Sequence, residues 1–169
     1  MNLLWKRVKD LSIGQILRLS PGAVIHDEKR LVPAGSTLRL DPRKHSGKLI
    51  ALDTASGSVC TLPAATGSGN EYEFIVTVAA STNAHIVKVG VAADQLAGGV
   101  MLSSDNASNA ILGWEPATND DQISLNGSTT GGKVGDRFTL VDIKAGYWAI
   151  NGRITESGAE TTPFSNAVT

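Results

Sequence analysis

The chain has little of what most catalytic and cross-linked proteins rely on. Cys60 is the only cysteine in 169 residues, which excludes an intrachain disulfide framework and any CxxC metal site. The histidines are His26, His45 and His85 alone, far apart in sequence. Aromatic residues make up only 5%. No apolar run approaches the roughly 18 residues that span a bilayer. The opening MNLLWKRVKDL is interrupted by Lys6, Arg7, Lys9 and Asp10, which is not the pattern of a signal peptide. The expectation is a protein made and folded in a reducing cytoplasm, away from membranes and without an export signal. A net charge of −1 excludes both a globally basic nucleic-acid binder and a globally acidic disordered chain.

What the chain does have is glycine, 18 residues of it, together with abundant Ser, Thr and Asn. That composition suits short strands joined by tight turns. From Leu49 onward the apolar residues follow a period of two, cut at short intervals by turn chemistry. Strands are predicted at Leu49–Asp53, Ser58–Leu62, Tyr72–Ala79, Ala84–Val89, Gly98–Ser103, Ile111–Trp114, Gln122–Asn126, Arg137–Ile143 and Tyr147–Thr155. Tyr72, Phe74, Val76 and Val78 share one face of their strand. Phe138 and Leu140 occupy one face of Arg137–Ile143, while Val141 and Ile143 make the other face apolar too. That strand is therefore expected to be covered on both sides, by a second sheet or a neighbouring subunit. Asn126-Gly127, Gly131-Gly132, Ala145-Gly146 and Asn151-Gly152 read as connections. No segment after residue 11 keeps helical periodicity for ten residues. The fold class is all-β, a β-sandwich or jelly-roll-like domain preceded by an extended N-terminal arm.

Charge is distributed unevenly. Residues 1–48 hold ten Lys/Arg and four acids, a balance of +6, while residues 49–169 hold five Lys/Arg and twelve acids, a balance of −7. This divides the chain into a basic arm, residues 1–47, and a β-rich body, residues 48–169. Leu4, Val8 and Leu11 fall on one face of a short helical start, which at this length is marginal on its own in water. Extended pieces follow at Gln15–Leu19, Ala23–Asp27, Leu31–Pro33 and Thr37–Leu40, broken by Pro21-Gly22 and Asp41-Pro42. A basic arm on an acidic body is expected to gain order by docking on something negative. Charge alone leaves nucleic acid and the acidic surface of a protein assembly both open.

Chemical motifs are weak. Gly127 to Lys133 fits GxxxxGK, but Val134 stands where a phosphate loop needs Ser or Thr, and a strand follows instead of a helix. A glycine-rich turn is the better reading. Cys60 lies in an alternating strand, where a small buried residue is expected. Asn119-Asp120-Asp121 lacks the spacing of a calcium loop. Trp114, Trp148, Tyr72 and Tyr147 could form a sugar platform, although aromatics on alternating strands more often belong to a core. A glycosidase-like acid pair would have to come from Glu71, Glu73, Glu115, Asp136 or Asp142. No catalytic, cofactor or metal residue emerges, and the chain is expected not to be an enzyme.

Two stretches carry a family resemblance: SGSVCTLPAATGSGNEYEFIV (Ser56–Val76) with AHIVKV (Ala84–Val89), and DQISLNGSTTGGKVGDRFTLVDIKAGYWAINGRI (Asp121–Ile154) with ETTPFSNAV (Glu160–Val168). Together they resemble the capsid decoration (cement) and head-fibre proteins of tailed bacteriophages over roughly residues 48–169. The resemblance implies a virion structural protein on the outer capsid surface, with the major capsid protein as partner and homotrimers as the usual assembly. Membrane and nucleic acid are not implied. The arm then supplies the expected capsid-binding residues, with Leu4, Trp5, Val8 and Leu11 as apolar anchors and Lys6, Arg7, Lys9 and Arg18 facing capsid acids. The alternative is a tail-fibre or receptor-binding β module that recognises host surface glycans.

Overall fold

Alternating apolar residues turn into strands because the pleat sends every second side chain to the same face. The computed structural model describes residues 30–104 and 111–168. Its strands are β1 (Leu31–Pro33), β2 (Thr37–Arg39), β3 (Leu49–Leu52), β4 (Val59–Thr61), β5 (Glu71–Val76), β6 (His85–Lys88), β7 (Gln95–Ser104), β8 (Ile111–Trp114), β9 (Gln122–Leu125), β10 (Arg137–Lys144), β11 (Tyr147–Glu156) and β12 (Phe164–Ser165). One helical turn, α1 (Pro42–His45), separates β2 from β3. Asp41 caps it by accepting from the Arg43 amide at 2.9 Å, and Pro42 opens it with a φ suited to a helix start.

The strands form two mixed sheets packed face to face. The seven-stranded sheet has the order β1-β3-β5-β10-β11-β7-β8 and the five-stranded sheet β12-β9-β6-β4-β2. The first six strands alternate between the sheets. β1, β3 and β5 are parallel neighbours in the larger sheet, and β2, β4 and β6 are parallel neighbours in the smaller one. Residues 31–88 therefore wind as a flattened coil of three turns. The remaining strands pair mainly as antiparallel neighbours, and the β10–β11 hairpin fills the gap between β5 and β7.

Residues 31–45, which the sequence reading gives to the arm, are part of this body. β1 pairs with β3 from Leu31↔Leu49, β2 pairs with β4 from Thr37↔Val59, and Ala34 and Leu40 are buried. Both segments are extended as the sequence reading expects, but three residues carry too short a period to show which strands they pair with.

The core lies between the sheets. Tyr72, Phe74, Phe138, Leu140 and Trp148 from the larger sheet meet Ile123 and Leu125 from the smaller one, all fully buried. Burial of each such side chain contributes about 1.5–3 kcal/mol. Phe74 and Phe138 are cross-strand partners whose rings stack at 5.0 Å and 15°. Asn151-Gly152 is not a turn; it lies within β11, with Gly152 opposite Phe138. A Cβ on Gly152 would fall 2.3 Å from the Phe138 Cβ, so the missing side chain makes room for Phe138. The second face of β10 is not fully covered by the described residues: Val141 is half-buried and Ile143 is 50% exposed.

Candidate functional site

Polar side chains that point into the core are where chemistry would be expected. Among the described residues the buried acids are Asp94, Asp121, Asp136, Asp142 and Glu156. Asp142 occupies the inward position of β10 that follows Phe138 and Leu140. Its carboxylate accepts from the Thr66, Gly67 and Ser68 amides at 3.0, 2.7 and 3.0 Å, and from the hydroxyls of Thr66 at 3.1 Å and Ser68 at 2.7 Å. Burial alone would raise its pKa. The bonds from Ser68, Thr66 and Gly67 prevail and hold it at about 2. The segment Thr66–Ser68 thus wraps a carboxylate that is ionised at neutral pH and fixes the connection between β4 and β5.

Three more acids act in the same way. Asp94 accepts from the Ala65 amide at 2.9 Å, and Asp121 from the Ala167 and Val168 amides at 2.9 Å each. Asp136 accepts from the Gly132 and Lys133 amides at 2.8 and 3.0 Å. The GxxxxGK stretch is therefore a turn whose amides already hold an anion, the protein's own Asp136, where a phosphate loop would hold a nucleotide. Asp120 accepts from the Ala117 amide at 2.8 Å, making Asn119-Asp120-Asp121 a turn. Among the described residues no three or more His, Cys, Asp or Glu come together to hold a metal ion.

Glu156 differs. It is fully buried at the end of β11, its Oε1 accepts from Trp114 Nε1 at 3.0 Å, and its Oε2 has no partner. Burial pushes its pKa up to about 7 against the Trp114 bond, with Glu160 and Asp136 adding like charge. His85 is buried and engaged at both nitrogens. Nδ1 accepts from the Ser58 amide at 3.0 Å, so Nε2 carries the proton donated to the Val78 carbonyl at 2.8 Å. Burial lowers its pKa and keeps it neutral. The Cys60 thiol is pushed up to about 12, first by burial and then by Asp53, which removes the thiolate that nucleophilic chemistry requires. His85 and Cys60 thus hold backbone and fill the core.

The aromatic platform is not assembled. Tyr72 and Trp148 are buried against each other at 5.7 Å. Trp114 turns its N–H inward to Glu156, and Tyr147 lies under the Lys144 ammonium at 3.9 Å from the ring centroid. A shallow depression of about 450 Å³ beside Trp114 is lined by Gly99, Val100, Met101, Gly113 and Glu115 and is open to solvent. Of the five candidate acids for a hydrolytic pair, Asp136 and Asp142 hold backbone amides and Glu73 pairs with Arg137. The expected capsid-binding residues Leu4, Trp5, Lys6, Arg7, Val8, Lys9, Leu11 and Arg18 lie outside the described residues.

Sequence reasoning missed the carboxylates that organise the loops, although a signal was present. Asp142 follows Phe138 and Leu140, and Glu156 follows Ile150 and Ile154, each at the inward parity of its strand. An acid at an inward position requires donors or a proton. No family model, curated protein or solved structure matches the chain.

Proposed function

We propose that this chain is a virion structural protein that attaches to the outside of a tailed-phage capsid through its basic N-terminal residues and carries its β body on the surface. The observation that carries this reading is the charge division, +6 over residues 1–48 against −7 over the rest, together with the resemblance of the body to decoration and head-fibre proteins. The body supports it indirectly: four of its five buried acids accept bonds from loop or terminal amides, a use that serves rigidity. Docking of a basic segment on an acidic shell would bury Trp5 and Arg7, residue types that dominate interface energies. Several copies on one shell would add avidity.

Co-sedimentation of the purified chain with undecorated capsids, with and without residues 1–20, tests this. Saturable binding that disappears on truncation, while the β body keeps its unfolding transition, is the expected result. Equal binding by both forms would overturn the role of the arm. Absence of binding by the full chain would overturn the capsid reading and turn attention to host glycans.

A further inference from the structure

On the outer face of the seven-stranded sheet, apolar and oppositely charged side chains share a regular grid. Register places Ile75, Arg137, Arg153 and Met101 in one row across β5, β10, β11 and β7. The next row runs Glu73, Thr139, Asn151 and Gly99, and the third Glu71, Val141, Ala149 and Ala97. Arg137 and Glu73 form an ion pair within the chain. Arg153 and Glu71 do not: both are exposed, Arg153 donates to the Ser103 hydroxyl at 3.0 Å, and among the described residues neither has an oppositely charged partner. They sit diagonally across the part of the grid formed by β5, β10 and β11, with Thr139 midway between them. Arg153 also faces Arg137 directly across an antiparallel pair, a like-charge arrangement that disfavours the isolated sheet.

We propose that a second copy of this chain covers this face, related by a two-fold axis lying along the sheet surface through Thr139. Rotation about that axis brings Arg153 of one copy over the partner's Glu71, and Glu71 over the partner's Arg153. The same rotation brings Met101, 57% exposed, over the partner's Ile143, 50% exposed. One operation thus matches the unpaired cation, the unpaired acid and the two exposed apolar side chains of the face, as a self-complementary interface requires. The sheets would cross at a steep angle, as in orthogonal sheet packing. This also supplies the second cover that the apolar residues Val141 and Ile143 of β10 call for. The inference does not rest on the capsid reading, and it differs from the trimer that the family resemblance implies.

Light scattering on the full chain, over a range of protein concentrations, measures the assembly directly. A mass of two chains, rather than the 17.6 kDa of one, is expected as concentration rises. Arg153→Glu and Glu71→Arg should each weaken the association at least about tenfold. An equimolar mixture of the two variants should restore it, because each then presents the opposite charge to the other. Rescue by mixing cannot arise from repair within one chain. A mass of three chains, a monomer at every concentration, or an assembly indifferent to both reversals would overturn the proposal.

Discussion

Asp142 and Glu156 are two acids on adjacent strands, both pointing into the same protein, yet their carboxyls are held at about 2 and about 7. Burial pushes both upward. The difference lies in the donors around them. Asp142 is enclosed by a loop that offers three amides and two hydroxyls, whereas Glu156 receives a single indole N–H and faces Glu160. A buried carboxylate is as acidic as its donors make it. The consequences for stability are opposite in sign. Asp142 contributes fully above its ordinary pKa of 3.8, and that contribution is lost as the pH falls through about 2. Glu156 keeps a proton in the folded chain between 4.5 and about 7 that the unfolded chain has released, so stability falls as the pH rises across that window.

The largest effect should come from breaking the well-supplied site. Asp142→Asn places an amide N–H₂ among donors and leaves at least one buried N–H or hydroxyl unmatched. It should cost about 3 kcal/mol at pH 7, measured by urea unfolding, with the difference shrinking toward pH 2; an unchanged midpoint at pH 7 would contradict the cradle. Next is the poorly supplied site. Glu156→Gln keeps an acceptor for Trp114 Nε1 and removes the charge, so it should stabilise the chain by about 2–3 kcal/mol at pH 8 and hardly at all at pH 4. Equal effects at both pH values would mean that the charge is not the cause. The smallest change, Ser68→Ala, removes a hydroxyl 2.7 Å from Asp142. It should cost about 1 kcal/mol and move the acid unfolding midpoint to higher pH, because Asp142 is then held less far below its usual range.

Much of the architecture could be read from periodicity because inward parity and burial coincide. Tyr72, Phe74, Val76, Phe138 and Leu140 all face the core as their spacing requires. Val78, placed on the same face by that spacing, lies beyond the end of β5 and is 38% exposed. Strand neighbours were illegible, since period two fixes faces and leaves pairing open; nothing in Leu31–Pro33 announces that it lies parallel to Leu49–Ala51. Gly152 misled because Asn-Gly suits a turn, while the demand of Phe138 for space opposite it is visible only once β10 and β11 are paired. The loop that wraps Asp142 was hidden for a similar reason: Thr66–Ser68 and Asp142 meet only through the fold.

The position of β10 and β11 at the middle of the larger sheet has a consequence for the chain as it is synthesised. Of the seven strands of that sheet, the two at the centre are the last to leave the ribosome. Until residue 156 has emerged, that sheet exists as two separate pieces, β1-β3-β5 and β7-β8, each with an unpaired inner edge. Such edges invite pairing with other chains. Cooperative closure must therefore wait for the β10–β11 hairpin, and a nascent chain halted before it would carry two adhesive edges in place of a finished core.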